Sequence, residues 1–208
     1  MRPSLRIEVL AVAEQTWVAG TLFFGIAEQN LEHYERKWLP ELLRRRRETV
    51  KLRQAGHDLA VVEDAHWDWA KKMLREHRAP LGFRSCAVEV DGETEGLMQV
   101  ELATHRSRAN RNLNLAYVDY ISIAPWNRPW PEQPPRFKGI GSILLREAIR
   151  TSVDEGFRGR IGLHALPGAV TWYRDKLKMK AFGPDPDYQG LHYFECMEEQ
   201  ARRFIDEK

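Results

Sequence analysis

The spacing of apolar positions changes several times along the chain, and each change marks an element. Leu5 to Val12 is β-compatible and is expected to open a sheet. From about Ala27 to Arg53 the chain turns helical and highly charged, with Pro40 breaking or restarting the helix. Over Glu63 to His77, Trp67, Ala70, Met73 and Leu74 recur at three- and four-residue spacing and make one apolar helix face. The period then drops to two. Arg84 to Val90 and Leu97 to Leu102 read as strands joined by "DGETEG", whose Asp-Gly pair is hairpin chemistry. Leu113 to Pro125 is a third, strongly β-branched strand, and "PWNRPWPEQPP" follows it as a stiff, extended wall. Ile143, Leu144, Ala148 and Ile149 then give a helix its buried face as far as about Glu155. A strand "GRIGLHA", a helix "GAVTWYRDKLKM", a strand "GLHYFECM" and a closing helix "EEQARRFIDEK" complete the chain. No internal repeat is visible.

At 208 residues the chain suffices for one domain with a proper core, and its 43% hydrophobic and 30% charged residues are those of an ordinary globular protein. A net charge of +2 predicts no polyanion partner. The run Arg44 to Arg47 fans out around a helix and has Glu41 and Glu48 beside it, so it reads as a solvated face. Cys86 and Cys196 form no CxxC pair, which makes a zinc site or disulfide framework unexpected and a reducing cytoplasm the default. His66 with Asp64 and Asp68 matches no metal-ligand spacing, so no metal is expected. The N-terminal "IEVLAVAEQTWVAGTLFFGIA" is interrupted by Glu8, Glu14 and Gln15 and reads as buried strand and turn rather than a signal or membrane segment.

Within "PPRFKGIGSILLREAIR", Gly139 and Gly141 precede a helix that buries well without them, and glycine there costs backbone entropy. A helix start leaves about four N–H groups unpartnered and carries roughly half a positive charge. Glycines let an anion reach those amides, while Arg136 and Lys138 add mobile positive charge, so the arrangement suits a phosphate. A Walker A loop is excluded because no Gly-Lys-Ser/Thr follows. A dinucleotide GxGxxG is excluded because Leu144 stands where the third glycine belongs.

What remains, Arg-x-x-Gly-x-Gly between a strand and a helix, resembles the pyrophosphate-binding signature of the GCN5-related N-acetyltransferase family. A second match is "AVTWYRDKLKM", with Ala169 four residues before Tyr173, then Arg174, Asp175 and Leu177. The resemblance spans roughly Arg84 to Met197. It implies one α/β domain with a mixed, mainly antiparallel sheet of six or seven strands, splayed near Ile123 and flanked by helices. Residues 1–83 would supply the first strand and acceptor-side helices, 84–197 the cofactor-binding core, and 198–208 a C-terminal helix. The chain departs from the pattern at Leu166, where many members have Asn, at Lys178-Met179 in place of Gly-Phe, and in its long proline-rich loop.

The same resemblance implies acetyl-coenzyme A as co-substrate, bound by Arg136, Phe137, Lys138, Gly139, Ile140, Gly141 and Ser142 and, along the preceding strand, by Ile121, Ser122 and Ile123. An N–H near Ile123 would stabilise the oxyanion formed as an amine attacks. Tyr173 stands at the general acid's place and would protonate the leaving thiolate; packing on the thioester is its other reading. For the base, Asp119, Glu101, His164 and a water chain are open, with Asp119 the choice; strand alternation would put it on one face with Ile121 and Ile123. The expected activity is acetyl or short-acyl transfer to a primary amine, on a small molecule or a protein. Two alternatives stay open: a non-catalytic acyl-coenzyme A sensor or interaction protein, and a charged-tRNA acetyltransferase using the arginine run. A membrane partner is not expected, and the oligomeric state, a homodimer among the options, is open.

Overall fold

The structure is a computed structural model that describes residues 2–54, 56 and 62–206. Nine strands form one sheet: β1 (Ser4–Ala11), β2 (Thr16–Phe24), β3 (Phe83–Val90), β4 (Glu93–Glu101), β5 (Ala116–Ile123), β6 (Phe137–Lys138), β7 (Ile161–Ala165), β8 (Lys180–Asp185) and β9 (Leu191–Cys196). Their spatial order is β6-β1-β2-β3-β4-β5-β7-β9-β8. All neighbours run antiparallel except β5 and β7.

The sheet is thus wider than the expected six or seven strands, and each addition has a local cause. The N-terminal apolar run holds two strands, β1 and β2, hairpinned through Gln15 at φ 53. β6 has only two residues, too few for a period to show. β8 carries Gly183 and Pro184 and a register shift at Ala181/Gly183, so its composition reads as a turn. In the β3–β4 hairpin, Asp91 and Gly92 both take positive φ (51 and 75), and "ETEG" belongs to β4 rather than to the loop.

The helices divide between the two faces. On one lie α1 (Glu28–His33), a π-helical turn Tyr34–Trp38, α2 (Leu39–Gln54) and α3 (Trp69–Arg78). Tyr34, Trp38, Leu42 and Trp69 pack there with Ala87 and Leu97 of the sheet. Pro40 does not break the helix. The π turn, in which the Leu39 N–H donates to the Tyr34 carbonyl, shifts the hydrogen-bond register just before the residue that lacks a donor. α3 starts at Trp69, six residues later than the pattern suggested, because the Asp68 side chain accepts from the Lys71 N–H at 2.9 Å and caps it there. Asp64–His66 forms a separate 3₁₀ turn.

On the other face α4 (Ile140–Asp154) and α5 (Glu198–Asp206) cover Val88, Met98, Val100, Val118 and Phe194. Gly96 lets α4 sit directly on β4, since a Cβ there would lie 2.7 Å from Ile140 Cγ2 and 3.0 Å from Leu144 Cδ1. "GAVTWYRDKLKM" is not a regular helix but a 3₁₀ turn, Pro167–Ala169, followed by a π-helical turn, Trp172–Lys176.

Strands β5 and β7 pair only at Ala116↔Ile161 and Tyr117↔Gly162. Beyond Tyr117 they part, and Val118 to Ile123 face an opening on that side. The splay expected near Ile123 therefore begins several residues earlier.

Candidate functional site

The opening exposes backbone of one parity. The Ala124 N–H is spent on the Glu95 carbonyl of β4 at 3.0 Å. Alternate residues of a strand aim their amides at opposite neighbours, so Ser122 shares that direction and Ile121 and Ile123 aim theirs into the gap left by β7. Ser122 is turned away in its side chain too, its hydroxyl donating to Asp64 Oδ2 at 2.8 Å. The Ile123 carbonyl accepts from Arg128 Nε at 3.0 Å and Nη2 at 2.8 Å, which fixes the end of the strand. Of the three expected strand positions, Ile121 carries a spare N–H and carbonyl and Ile123 a spare N–H only.

Beside this opening α4 begins. Gly139 is its N-cap at φ 100 and ψ −16, and no side chain caps it. The first intrahelical bond runs from the Ile143 N–H to the Gly139 carbonyl at 2.9 Å. That leaves the amides of Ile140, Gly141 and Ser142 as the helix's open donors. The expected donor set narrows at its other end. The Arg136 N–H donates to the Trp126 carbonyl at 3.1 Å, and the Phe137 N–H donates to Asn127 Oδ1 at 2.9 Å. Phe137 itself is buried, while Lys138 and Gly139 are exposed.

The two glycines differ in kind. Gly139 is required by its own backbone, since φ 100 penalises any L side chain. Gly141 is not: its φ is ordinary, and an added Cβ would meet only Trp172 ring atoms at 3.6 and 3.7 Å, normal van der Waals contact. Among the described residues nothing requires Gly141, and a bare Cα there leaves room for an anion at the helix start.

A buried polar frame holds the loop. Glu95 is fully buried at a bulge in β4, and its Oε2 accepts from Trp126 Nε1 and Asn127 Nδ2, each at 2.7 Å. Asn127 in turn holds Phe137. Glu95 Oε1 has no hydrogen-bond partner, and Arg136 Nη1 stands 3.6 Å from it. Burial pushes the Glu95 carboxyl up to about 7. Arg128 forks onto Asp64 at 2.8 and 2.5 Å. Burial acts to raise Asp64, but the guanidinium and the Ser122 hydroxyl outweigh it and hold the carboxyl below the usual range. Arg45 of α2 donates to the Pro125 carbonyl at 2.6 Å and lies 4.8 Å over the Trp130 ring, pinning the proline-rich wall. Arg44 pairs with Glu41 and Glu48, so the arginine run is divided between a buried strut and an acidic neighbourhood. Sequence reasoning did not find Glu95, Asn127 or Arg128. An acid flanked by Thr94 and Gly96 in an otherwise apolar strand was the available signal.

Tyr173 lies at 4% exposure in the core on the α4 side, its ring centroid 5.0 Å from Trp172 and 5.9 Å from Phe194. Burial pushes its phenol above the usual value. Since a Cβ on Gly141 would lie 3.6 Å from the Trp172 ring, the π turn bearing Tyr173 abuts the start of α4.

Asp119 sits on the opposite face. The β4–β5 register steps from Gln99↔Tyr120 to Val100↔Val118, so Asp119 is the extra residue of a bulge. Alternation is broken at that point: Asp119 reaches Arg75 of α3 at 2.5 Å, on the side of Tyr120, and does not share the face of Ile121 and Ile123 that packs toward α4. Burial raises its carboxyl despite Arg75. Glu101 lies 3.4 Å from Arg75 and 3.5 Å from His105. His164 has both nitrogens engaged, Nδ1 with the Tyr117 hydroxyl at 2.7 Å and Nε2 with Asp185 at 2.9 Å, and burial lowers its pKa. Such a histidine has no free nitrogen for a substrate proton. Among the described residues no group of His, Cys, Asp and Glu could hold a metal ion, and no helix is long and apolar enough to cross a membrane.

No protein-family model matches the sequence, and no curated protein matches it either. Solved structures do. The chain is similar to Mycobacterium smegmatis RimJ in complex with CoA-disulfide, at 15% identity over 98% of this chain and 94% of that one, with a TM-score of 0.54. It is also similar to the GNAT domain of S. lividans PAT, at 12% identity over 93% of this chain and 96% of that one, with a TM-score of 0.53. At such identities the likeness is one of fold, and it extends over nearly the whole chain. This protein has the fold of the GNAT acetyltransferases.

Proposed function

We propose that this chain transfers an acetyl or other short acyl group from acyl-coenzyme A to a primary amine, with both substrates bound at once. One observation carries the reading: an uncapped, glycine-built start of α4 lies beside a sheet opening that offers backbone groups of a single parity. The diphosphate would rest on the amides of Ile140, Gly141 and Ser142, with Lys138 and Arg136 supplying mobile charge. The amide-bearing arm would pair with the outward groups of Ile121 and Ile123. That the similar RimJ structure holds CoA-disulfide supports a coenzyme A ligand.

The chemistry then needs a proton donor and a proton acceptor. Tyr173 donates toward the leaving sulfur, and its burial keeps the phenol protonated until charge develops there. Asp119, on the α3 side, takes the proton that the attacking amine loses, and Arg75 holds it in place. The Ile123 N–H faces the thioester oxygen. Acceptor and donor thus reach the bulge in β5 from opposite faces of the sheet.

The test is thiol release from acetyl-coenzyme A across a panel of amines, alongside the thermal shift produced by coenzyme A. Gly139→Glu sets a carboxylate against the diphosphate and should abolish that shift, while the strain of a side chain at φ 100 lowers the unliganded melting temperature without unfolding the protein. Binding without thiol release on any amine would favour an acyl-coenzyme A sensor. No shift with the wild-type chain would refute the cofactor site itself.

A further inference from the structure

On the α3 face of β5 three aromatic rings converge on one ammonium. Lys72 Nζ stands 3.2 Å from the Tyr120 ring centroid, 5.8 Å from that of Trp67 and 6.0 Å from that of Trp69. The rings support one another edge to face, Trp67 on Tyr120 at 5.1 Å and Trp69 on Tyr120 at 6.5 Å. Such a cage ordinarily receives a cationic ligand. Here a side chain of the protein fills it.

The place matters as much as the cage. Tyr120 directly follows the bulged Asp119, and the next residue, Ile121, turns its spare backbone groups into the opening between β5 and β7. Lys72 makes no ion pair among the described residues, although the Asp119 carboxylate acts on it through space. Its stem is half-buried, and the loss of water brings its pKa down to about 8, which leaves a sizeable neutral fraction near neutrality. Its neighbour Lys71 points into solvent, with a side chain 83% exposed and paired to Asp68. A free amine therefore occupies the acceptor side of the very strand segment that would carry the thioester.

We propose that Lys72 is itself an acyl acceptor, modified in cis by the donor bound to the same chain. The inference rests on the acyl-transfer reading above. The neutral Lys72 nitrogen attacks the thioester carbonyl, a C–N bond forms, and the C–S bond breaks. Asp119 takes the proton lost by the nitrogen and Tyr173 gives one to the departing coenzyme A thiolate, and water then returns both groups to their starting protonation. The products are an Nε-acyl-lysine and free coenzyme A, with no oxidant or further reactant needed. The cage then holds a neutral amide and is closed to other amines.

The experiment incubates the full chain with acetyl-coenzyme A and maps acetylated peptides by mass spectrometry. Lys72 should gain one acetyl group well ahead of Lys71, whose side chain points into solvent away from the cage. The rate constant should not change on dilution of the protein. Gly139→Glu should lose this label yet still be acetylated at Lys72 by N-hydroxysuccinimidyl acetate, which needs no cofactor site. Lys72→Arg should remove the label altogether. Label persisting undiminished in Gly139→Glu would mean that chemical reactivity alone accounts for it, and would overturn the proposal. So would an unlabelled Lys72 in a chain whose melting temperature coenzyme A raises, a result that leaves the cofactor reading intact. If coenzyme A produces no shift, both readings fall together.

Discussion

Gly141→Ala separates what the fold needs from what a ligand needs. The residue lies in the first turn of α4 with helical backbone, so alanine removes the entropy that glycine loses on folding. The new Cβ finds Trp172 at 3.6 Å, a favourable contact with nothing displaced. A gain of roughly 0.5–1 kcal/mol follows, near the lower end because the first turn is less demanding than a helix interior. For a chain of this size about 1 kcal/mol moves the midpoint by roughly 2–4 °C, so the unliganded variant should melt about 1–4 °C higher. On the proposed reading the same methyl group would stand between the helix-start amides and the diphosphate. Losing one charge-assisted hydrogen bond costs about 1.5–3 kcal/mol, or roughly ten- to hundredfold in the Kd for coenzyme A. The assay is a pair of melting curves and a titration: the melt without ligand must rise while the affinity falls. A variant that melts lower would show that Gly141 serves packing after all. One that melts higher and binds coenzyme A as tightly as wild type would show that no anion approaches there, and the argument for the site would fail.

Other substitutions test the surrounding frame. Arg128→Met strands the Asp64 carboxylate in a buried site and should cost about 3–5 kcal/mol at neutral pH, read from urea melts followed by tryptophan fluorescence. Asp64 has a depressed pKa when folded, so the stability it supplies is present above the unfolded value near 4 and lost as pH falls through the folded one. The orphaned acid of the variant protonates instead, so the gap between the two proteins should narrow toward acid; a gap independent of pH would refute the pairing. Glu95 has the opposite sign. Its folded pKa is raised to about 7, so stability is unpenalised below about 4.5 and declines as pH rises to 7, by roughly 3 kcal/mol at most. Glu95→Gln should flatten that decline, and an unchanged pH profile would place the titration elsewhere. Tyr173→Phe should lower turnover well before it weakens coenzyme A binding, and equal loss of both would count against the acid role.

The legible parts of the sequence were those carried by spacing. Strand β5, the α4 stripe of Leu144, Ala148 and Ile149, and the Asp-Gly turn all stand close to where alternation and turn chemistry place them. The glycine loop could be read too, because an unfavourable residue type before a helix asks for a reason. What escaped depends on irregular backbone. One inserted residue at Asp119 inverts the side-chain facing of everything beyond it, and a pattern of period two cannot reveal an insertion. The π turn at Trp172–Lys176 likewise looks helical in sequence while presenting Tyr173 differently. Glu95 and Asn127 escaped for another reason: their partners lie 31 residues apart or more, or across the loop, so no local signal exists.

These irregularities concentrate around one strand end, and that bears on how the two halves of the site communicate. Asp64, in the turn before α3, grips Arg128, which holds the Ile123 carbonyl; Arg45 of α2 holds Pro125; Glu95 holds Asn127, which holds Phe137 at the entrance to α4. Asp64, Glu95, Arg45 and Asn127 are buried, and every link except the neutral Asn127–Phe137 bond involves a charge, so the set resists both water and rotation. The helices on the α3 face and the loop that opens α4 are therefore fastened to the same few residues, Ile123 to Arg128. A ligand that shifts α3 or the turn before it must pull on Ile123 through Arg128, and the N–H of that residue faces the opening. The long proline-rich insertion then has a mechanical reason: its stiffness keeps Trp126, Asn127 and Arg128 at fixed separations, where a flexible loop of the same length would let each buried charge relax on its own.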